Sequence, residues 1–359
     1  MKKEMKIAIL GSGNGACAAA ADWSLGGHEV RMFDFEQFPK IINAINKNGG
    51  VTVEGELSGF APIAYCGHSI EMAVIDADMI LAIGPSFSTE PFANAVKDCI
   101  TPNQIYVVCP GSFGGALITK KIFMSTKNAS ACTICESSTL PYAARIIEPG
   151  VVKVFLKLKG GLFLSTIPKE QGDNAIEAFR TVYPHTQKAK NVMQTMLQNA
   201  NPVIHPAVML LNAGAVERSK GELLFYEEGV TPAVGKLIKA VDVERIMIAE
   251  KLGVKIIPDG ELGVLQGYMT DASYEYGYAS APGFKGIKAP DTLNNRYLTE
   301  DVGYGLVFMS DLAEKLGLAV PMIHSVINIA SKLMETDYKK ESIRTVDTLG
   351  FSIEEILEA

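Results

Sequence analysis

Residues 11–16 read Gly-Ser-Gly-Asn-Gly-Ala, a G-x-G-x-x-A pattern. It follows a strand-like apolar run at 5–10 and opens an alanine-rich stretch with helical spacing at 14–25. In that setting the pattern is a phosphate cradle. Gly11 permits a tight turn, Gly13 lets the backbone approach a pyrophosphate, and Ala16 lets the helix pack close to the strand. Asn14 and Gly15 begin the helix, whose N-terminal N–H groups face the negative phosphates. Asp34 ends the next strand-like run, 21 residues past Gly13. A carboxylate there accepts hydrogen bonds from the ribose hydroxyls and repels a 2′-phosphate, so NAD is the expected cofactor. Arg31 lies three residues earlier, on the opposite strand face.

Two further turns close apolar strand-like runs: Ile-Gly-Pro-Ser at 83–86 and Cys-Pro-Gly-Ser at 109–112. In an open α/β sheet, turns at the carboxyl ends of strands border the ligand crevice. Pro85 and Gly111 are thus candidate cofactor neighbours, although ordinary loop punctuation accounts for them nearly as well.

NAD carries a hydride, so the protein must hold a substrate and move a proton. Histidine suits proton transfer near neutral pH. The chain has five: His28, His68, His185, His205 and His324. His28 belongs to a Gly-Gly-His-Glu turn that is expected to be exposed, and His68 to a loop. His185 follows Tyr-Pro near a domain boundary, and His324 stands near a helix start. His205, in Asn-Pro-Val-Ile-His-Pro at 201–206, opens an apolar helix at the start of a second domain. Such a residue is expected to face an interdomain cleft, where ligands commonly lie. On pattern alone it is either catalytic or a satisfied helix-start histidine.

The elements that must position these residues follow from the texture of the chain. The 359 residues are enough for two domains. Up to about residue 190, short apolar runs alternate with helical stretches, as in a βαβ series with a mostly parallel sheet. Runs at 51–54 and 61–64 suggest a small hairpin insertion, and runs at 151–158 and 162–166 suggest two strands at one sheet edge. Beyond residue 190 helical spacing dominates, as at 206–217, 234–252, 304–315 and 320–334. The expected organisation is a dinucleotide-binding Rossmann domain at 1–190 and an all-α substrate domain at 191–359. The tyrosine-rich segment at 268–278 either lines a pocket or forms an amphipathic surface.

Composition bounds the partners. Hydrophobic residues make up 48% and charged residues 20%, as in a globular enzyme. A net charge of -7 argues against a nucleic-acid partner, since phosphate neutralisation needs a basic face. No apolar run is long enough for a membrane span, and the short stretch before the first strand leads to the expectation of no signal peptide. The six cysteines are expected to be reduced thiols of a cytoplasmic protein. Cys132 and Cys135 have half-site spacing but lack a second Cys or His pair, so no metal is expected.

At this point the chain resembles the octopine/opine dehydrogenases, particularly bacterial enzymes that make N-(1-carboxyethyl) amino acids. The resemblance spans nearly the whole length. It rests on the glycine loop, Cys-Pro-Gly-Ser-Phe-Gly-Gly-Ala at 109–116, Glu-Ser-Ser at 136–138 and Asn-Pro-Val-Ile-His-Pro at 201–206. Tyr-Glu-Glu-Gly-Val-Thr-Pro at 226–232 and Asn-Arg-Tyr-Leu-Thr-Glu-Asp-Val at 295–302 complete it. The last three stretches carry most of the specificity.

The resemblance implies a Rossmann domain followed by a helical domain. It also implies NADH-dependent condensation of a 2-oxo acid, commonly pyruvate, with the amino group of an amino acid. It makes His205 the acid/base and Asp301 its partner, and an Arg296 guanidinium suits a substrate carboxylate. Asp301 is otherwise a carboxylate at a helix N-terminus, and Arg296 a surface ion-pair partner. Glu136, at a strand end, is a candidate contact for the nicotinamide amide or the substrate amine. A homodimer is expected from some relatives. The alternative is a 2-oxo acid or 3-hydroxy acid reductase that uses no amine.

Overall fold

The computed structural model describes residues 4–341 and 344–359. The first βαβ unit is β1 (Lys6–Leu10), α1 (Asn14–Leu25) and β2 (Glu29–Phe33). Then come α2 (Pro39–Asn48), a hairpin of β3 (Gly50–Gly55) and β4 (Gly59–Pro62), β5 (Tyr65–Gly67) and α3 (Ile70–Val74). The series continues with β6 (Met79–Ala82), α4 (Thr89–Val96), β7 (Ile105–Val108), α5 (Gly115–Phe123) and β8 (Thr133–Ser137). It ends with β9 (Tyr142–Glu148), β10 (Val151–Lys157), β11 (Phe163–Ile167), α6 (Gly172–Arg180) and β12 (Gln187–Lys188).

The main sheet has the order β12-β11-β8-β7-β6-β1-β2-β5. Every neighbouring pair is parallel except β8 with β11. From β1 the chain winds one way through β2 and β5, and the other way through β6, β7 and β8. That reversal marks a topological switch point, the position where open α/β sheets bind ligands. The glycine loop leaves β1 at this point.

A second sheet has the order β4-β3-β10-β9. It corrects one expectation: β10 and β11 do not share a sheet edge. β10 pairs with β3 and β9, while β11 pairs with β8 and β12. β9 was not anticipated, because its outward Ala143 and Ile147 are apolar and blur its alternation. Between the sheets lies α1, which explains its composition. Ala18 to Ala21 and Trp23 are wholly buried. A helix apolar on every side needs cover on every side, and small side chains let two sheets approach it. Asp22 anchors it, accepting from Tyr142 Oη at 2.7 Å and from Lys157 Nζ at 2.6 Å. His28, expected to be exposed, is buried instead. Its Nδ1 accepts from the Met5 N–H at 3.2 Å, and its ring lies 5.1 Å from Trp23.

The chain divides into two compact units. One runs to Leu158, resumes over Leu162–Thr195 and includes Ala359; the other comprises Lys159–Gly161 and Met196–Glu358. The division falls within α7 (Val192–Gln198).

The second unit is helical: α8 (Asn201–Leu211), α9 (Ala213–Ser219), α10 (Pro232–Lys251), α11 (Asp259–Gln266), α12 (Arg296–Thr299), a π-helical segment (Asp301–Leu306), α13 (Val307–Lys315) and α14 (Pro321–Leu333). The helix expected at 206–217 begins earlier and breaks at Asn212. Thr231 caps α10 by accepting from Val234 N–H, and Pro232 fills its first turn. Threonine before proline suits those positions, because proline gives up only an N–H that no intrahelical carbonyl would reach. α8 runs through the core with Val203 to Met209 all buried. α10 carries a buried ion pair in which Arg245 meets Asp242 at 2.6 Å. Tyr274 donates to Asp242 at 2.5 Å, and Tyr278 donates to Asp259. The tyrosine-rich segment therefore turns much of its polar edge inward, although Tyr276 is exposed. Among the described residues, no helix is long and apolar enough to cross a membrane.

Candidate active site

The first unit holds the dinucleotide cradle. Gly11 has φ +115°, and a Cβ there would lie 2.4 Å from the carbonyl oxygen of Ile83, so the loop admits no side chain at that point. A Cβ on Gly13 would meet nothing within 4 Å. Gly13 precedes α1, whose start has no side-chain cap, so its first N–H groups await an anionic partner. The Asn14 side chain is engaged within the protein, its Oδ1 accepting from the Ile146 N–H at 2.8 Å, which leaves its backbone for the candidate cradle. Gly15 faces Leu140, with 2.7 Å left for a Cβ, and Ala16 is buried in the packing of α1.

Asp34 stands just beyond β2. It accepts from Ser12 Oγ at 2.6 Å and from the Phe35 N–H at 2.8 Å. Ser12, a residue inside the glycine pattern, thus fixes the carboxylate beside the loop. Arg31 turns away, bonding Glu29 and the Ile75 carbonyl. The exposed backbone at Gly13, the uncapped helix and the held carboxylate fit a dinucleotide with free ribose hydroxyls.

Pro85 follows β6, whose end abuts β1 through the Ile83 N–H to Leu10 O bond of 2.9 Å. Gly111 lies beside Glu136, where an added Cβ would be 1.8 Å from Glu136 Cγ. Glu136 is fully buried. One carboxylate oxygen accepts from the Ala116 N–H in the first turn of α5, the other from Thr195 Oγ1, each at 2.9 Å. A carboxylate at a helix N-terminus is favourably placed. Its expected contact with a nicotinamide amide or a substrate amine therefore has two protein donors as competitors.

The candidate acid/base pair lies in the second unit. His205, on α8, is 5% exposed, and Asp301, the first residue of the π-helical segment, is 4% exposed. Nδ1 of His205 donates to Asp301 Oδ2 at 2.8 Å. The sequence separates them by 96 positions, and the packing of the π-helical segment on α8 joins them. The Glu300 carbonyl accepts from both Tyr304 N–H and Gly305 N–H, at 2.8 and 3.3 Å. This shared acceptor marks an inserted residue, a device that recurs at functional sites. Burial lowers the His205 pKa below 6.5, and Asp301 partly opposes the shift. The imidazole is therefore neutral at pH 7, with Nδ1–H on Asp301 and a lone pair on Nε2.

Aromatic rings complete the site. Tyr297 stacks on His205 at 4.0 Å between centroids, and Phe225 meets the imidazole edge-on at 5.8 Å. Tyr226 Oη lies 3.3 Å from Nε2. Arg296 sits over the Tyr297 ring at 5.2 Å and lies 3.8 Å from Glu300, with half of its side chain exposed. Its fork is thus reachable beside the histidine. The other histidines serve elsewhere. His68 meets the Asp34 carbonyl at 2.7 Å, His324 meets Ser310 at 3.0 Å, and His185 is exposed.

The comparisons with known proteins agree with this architecture. Residues 188–334 match the family model described as NAD/NADP octopine/nopaline dehydrogenase, alpha-helical domain. An opine dehydrogenase from Arthrobacter sp. (strain 1C) is 35% identical over 98% of this chain and 97% of its own. The chain belongs to the octopine/opine dehydrogenase family. As a member of that family it is a nicotinamide-dependent oxidoreductase of the CH–NH class. Octopine dehydrogenase from Pecten maximus is more distant, at 22% identity over 93% of this chain and 91% of its own. A solved octopine dehydrogenase structure with NADH and pyruvate has a TM-score of 0.76 at 22% identity, covering 99% of this chain and 98% of that one. It shares the fold, a Rossmann domain followed by a helical domain.

The candidate site of this opine dehydrogenase also contains residues that spacing does not single out. Tyr226 and Tyr297 both lie within the stretches that carry the family resemblance, yet neither is a usual acid/base, so pattern alone assigned them nothing. Phe225 and Phe284 had no signal beyond their apolar character. Only packing reveals that they wall in the imidazole and the Tyr226 ring.

Proposed function

We propose that the protein catalyses NADH-dependent reductive condensation of a 2-oxo acid, with pyruvate as the expected acid, with the amino group of an amino acid, and the reverse oxidation. The observation that carries this reading is the buried His205–Asp301 pair beside a reachable arginine, in a chain of this family. Gly11, Gly13, the backbone of Asn14 to Ala16, and Asp34 would hold the cofactor, with Pro85 and Gly111 at its border. When bound, NADH supplies the hydride that reduces the imine carbon.

The chain's own groups do the rest. Protonated His205 donates from Nε2 to the keto oxygen as the amine attacks, which helps expel that oxygen as water. Asp301 keeps Nδ1–H in place and stabilises the imidazolium. Arg296 offers two parallel N–H groups to the acid's carboxylate. Glu136 is the candidate contact for the nicotinamide amide or the substrate amine, in competition with its Ala116 and Thr195 donors. A cytoplasmic setting is supported by six free thiols, five of them buried. A homodimer is supported by apolar side chains exposed on the helical unit, among them Leu211, Val243 and Ile329.

The test follows NADH oxidation with pyruvate alone and then with each amino acid of a panel. Little oxidation is expected until an acceptable amino acid is added. A full rate with the oxo acid alone would make the enzyme a plain reductase.

Cofactor choice is checked separately. Replacing Asp34 by serine removes two charge-assisted ribose bonds, each typically about 1.5–3 kcal/mol. NADH affinity should fall at least roughly 10²-fold, while NADPH is affected less or gains. An unchanged ratio of the two KM values would remove Asp34 from the cofactor site.

A further inference from the structure

The chemistry of His205 leaves its Nε2 neighbour unused. We propose that Tyr226 is a further catalytic residue, the hydroxyl that rests on Nε2 of His205 in the free enzyme and turns its proton onto the keto oxygen of the 2-oxo acid when Nε2 is protonated. This rests on the acid/base reading of His205.

The geometry points to it in three ways. First, Nδ1–H is committed to Asp301, so in the neutral imidazole Nε2 can only accept, and Tyr226 Oη at 3.3 Å is the donor. That distance is long for an O–H donor, so the bond is weak and readily exchanged. Second, a keto oxygen accepting from protonated Nε2 must lie about 3 Å from that nitrogen, within reach of the same hydroxyl. An N–H cannot accept, so the tyrosine proton must then find another acceptor, and the keto oxygen is the nearest new one. Third, the ring is fixed. Tyr226 stacks on Phe284 at 4.0 Å and 12°, Phe225 meets it edge-on at 4.9 Å, and Tyr268 covers the Phe284 ring at 4.7 Å. Only the O–H bond has to rotate, which is the preorganisation that makes such donors effective.

Tyr226 gives up no proton. Burial holds its phenol well above the ordinary value, with Tyr297, Tyr268 and Asp259 acting in the same direction and Arg296 against it. The balance is carried by other groups. The departing water takes one hydrogen from the attacking amine and one, net, from Nε2, leaving His205 neutral and the nitrogen as a protonated iminium. The charged groups facing His205 are Asp301, Glu300 and Arg296.

The test is Tyr226→Phe, which keeps the ring and its stacking. Its kcat in both directions should fall on the order of 10²-fold, the usual cost of one such donor, with NADH affinity unchanged. Loss of a donor to the neutral imidazole should also move the His205-dependent limb of kcat/KM to higher pH. A variant with wild-type kcat and a superposable pH profile overturns the proposal. His205→Ala, assayed alongside, separates the two claims. If it is inactive while Tyr226→Phe is fully active, only the role of Tyr226 fails. If His205→Ala itself turns over normally, the acid/base reading fails and this inference with it.

Discussion

Replacing His205 by alanine should lower turnover by roughly 10²- to 10⁴-fold, the range for loss of a positioned acid/base, while NADH binds as before. The two effects separate because the groups lie in different units of the chain. The glycine loop and Asp34 belong to the first unit and are held by Ser12, Phe35 and the packing of α1. His205 lies on α8 of the second. NADH affinity by fluorescence titration and single-turnover rates with saturating cofactor check both halves. Lost NADH affinity with normal turnover of the bound complex would reverse the assignment. Wild-type pH dependence also follows from the lowered pKa of His205. Reductive condensation needs the imidazolium, so its kcat/KM should fall as pH rises through a free-enzyme value below 6.5. The oxidative direction needs the neutral ring and should rise through the same value.

Asp301→Asn is the second large effect. The amide preserves size and most packing, but it removes the negative charge 2.8 Å from Nδ1. A side-chain NH₂ can then donate to Nδ1 and favour the wrong tautomer, with the proton on Nε2. In the analogous histidine–aspartate arrangement of serine proteases that change costs about 10⁴-fold, and a loss of about 10²- to 10⁴-fold is expected here. Asp301 opposes the burial effect on His205, so its removal should lower the histidine pKa further. Both pH limbs should therefore move to lower pH, the opposite direction from Tyr226→Phe. Opposed shifts from the two sides of one ring would be hard to obtain from general disruption. A profile unchanged by Asp301→Asn would mean that the contact does not tune the histidine.

The candidate cofactor site was legible in the sequence because its determinants are local. Gly11, Gly13 and Ala16 are set by one turn and one helix start, and Asp34 follows at the spacing of a single βαβ unit. The role of Ser12 was not legible, since a serine inside a glycine loop has no distinguishing periodicity. The second sheet was misread for a related reason. Its strands come from 50–62 and 142–157, and pairing between distant segments leaves no periodic signal. His28 was misjudged because its turn looks polar, whereas Trp23 and Met5 bury it.

The sequence by itself determined the switch-point loop, the carboxylate that ends β2 and the change from alternating to helical texture. Each depends on residue type at short range, where backbone geometry leaves few choices. Through the motifs it carries, it also nominated His205 and Asp301. Only the tertiary structure decided that these two meet, since 96 positions of chain separate them and burial between packed helices closes the gap. It also set the lowered pKa of His205, because desolvation depends on what covers a ring. In the same way it set Tyr226 on the remaining nitrogen, held by a stack of aromatic side chains drawn from distant segments.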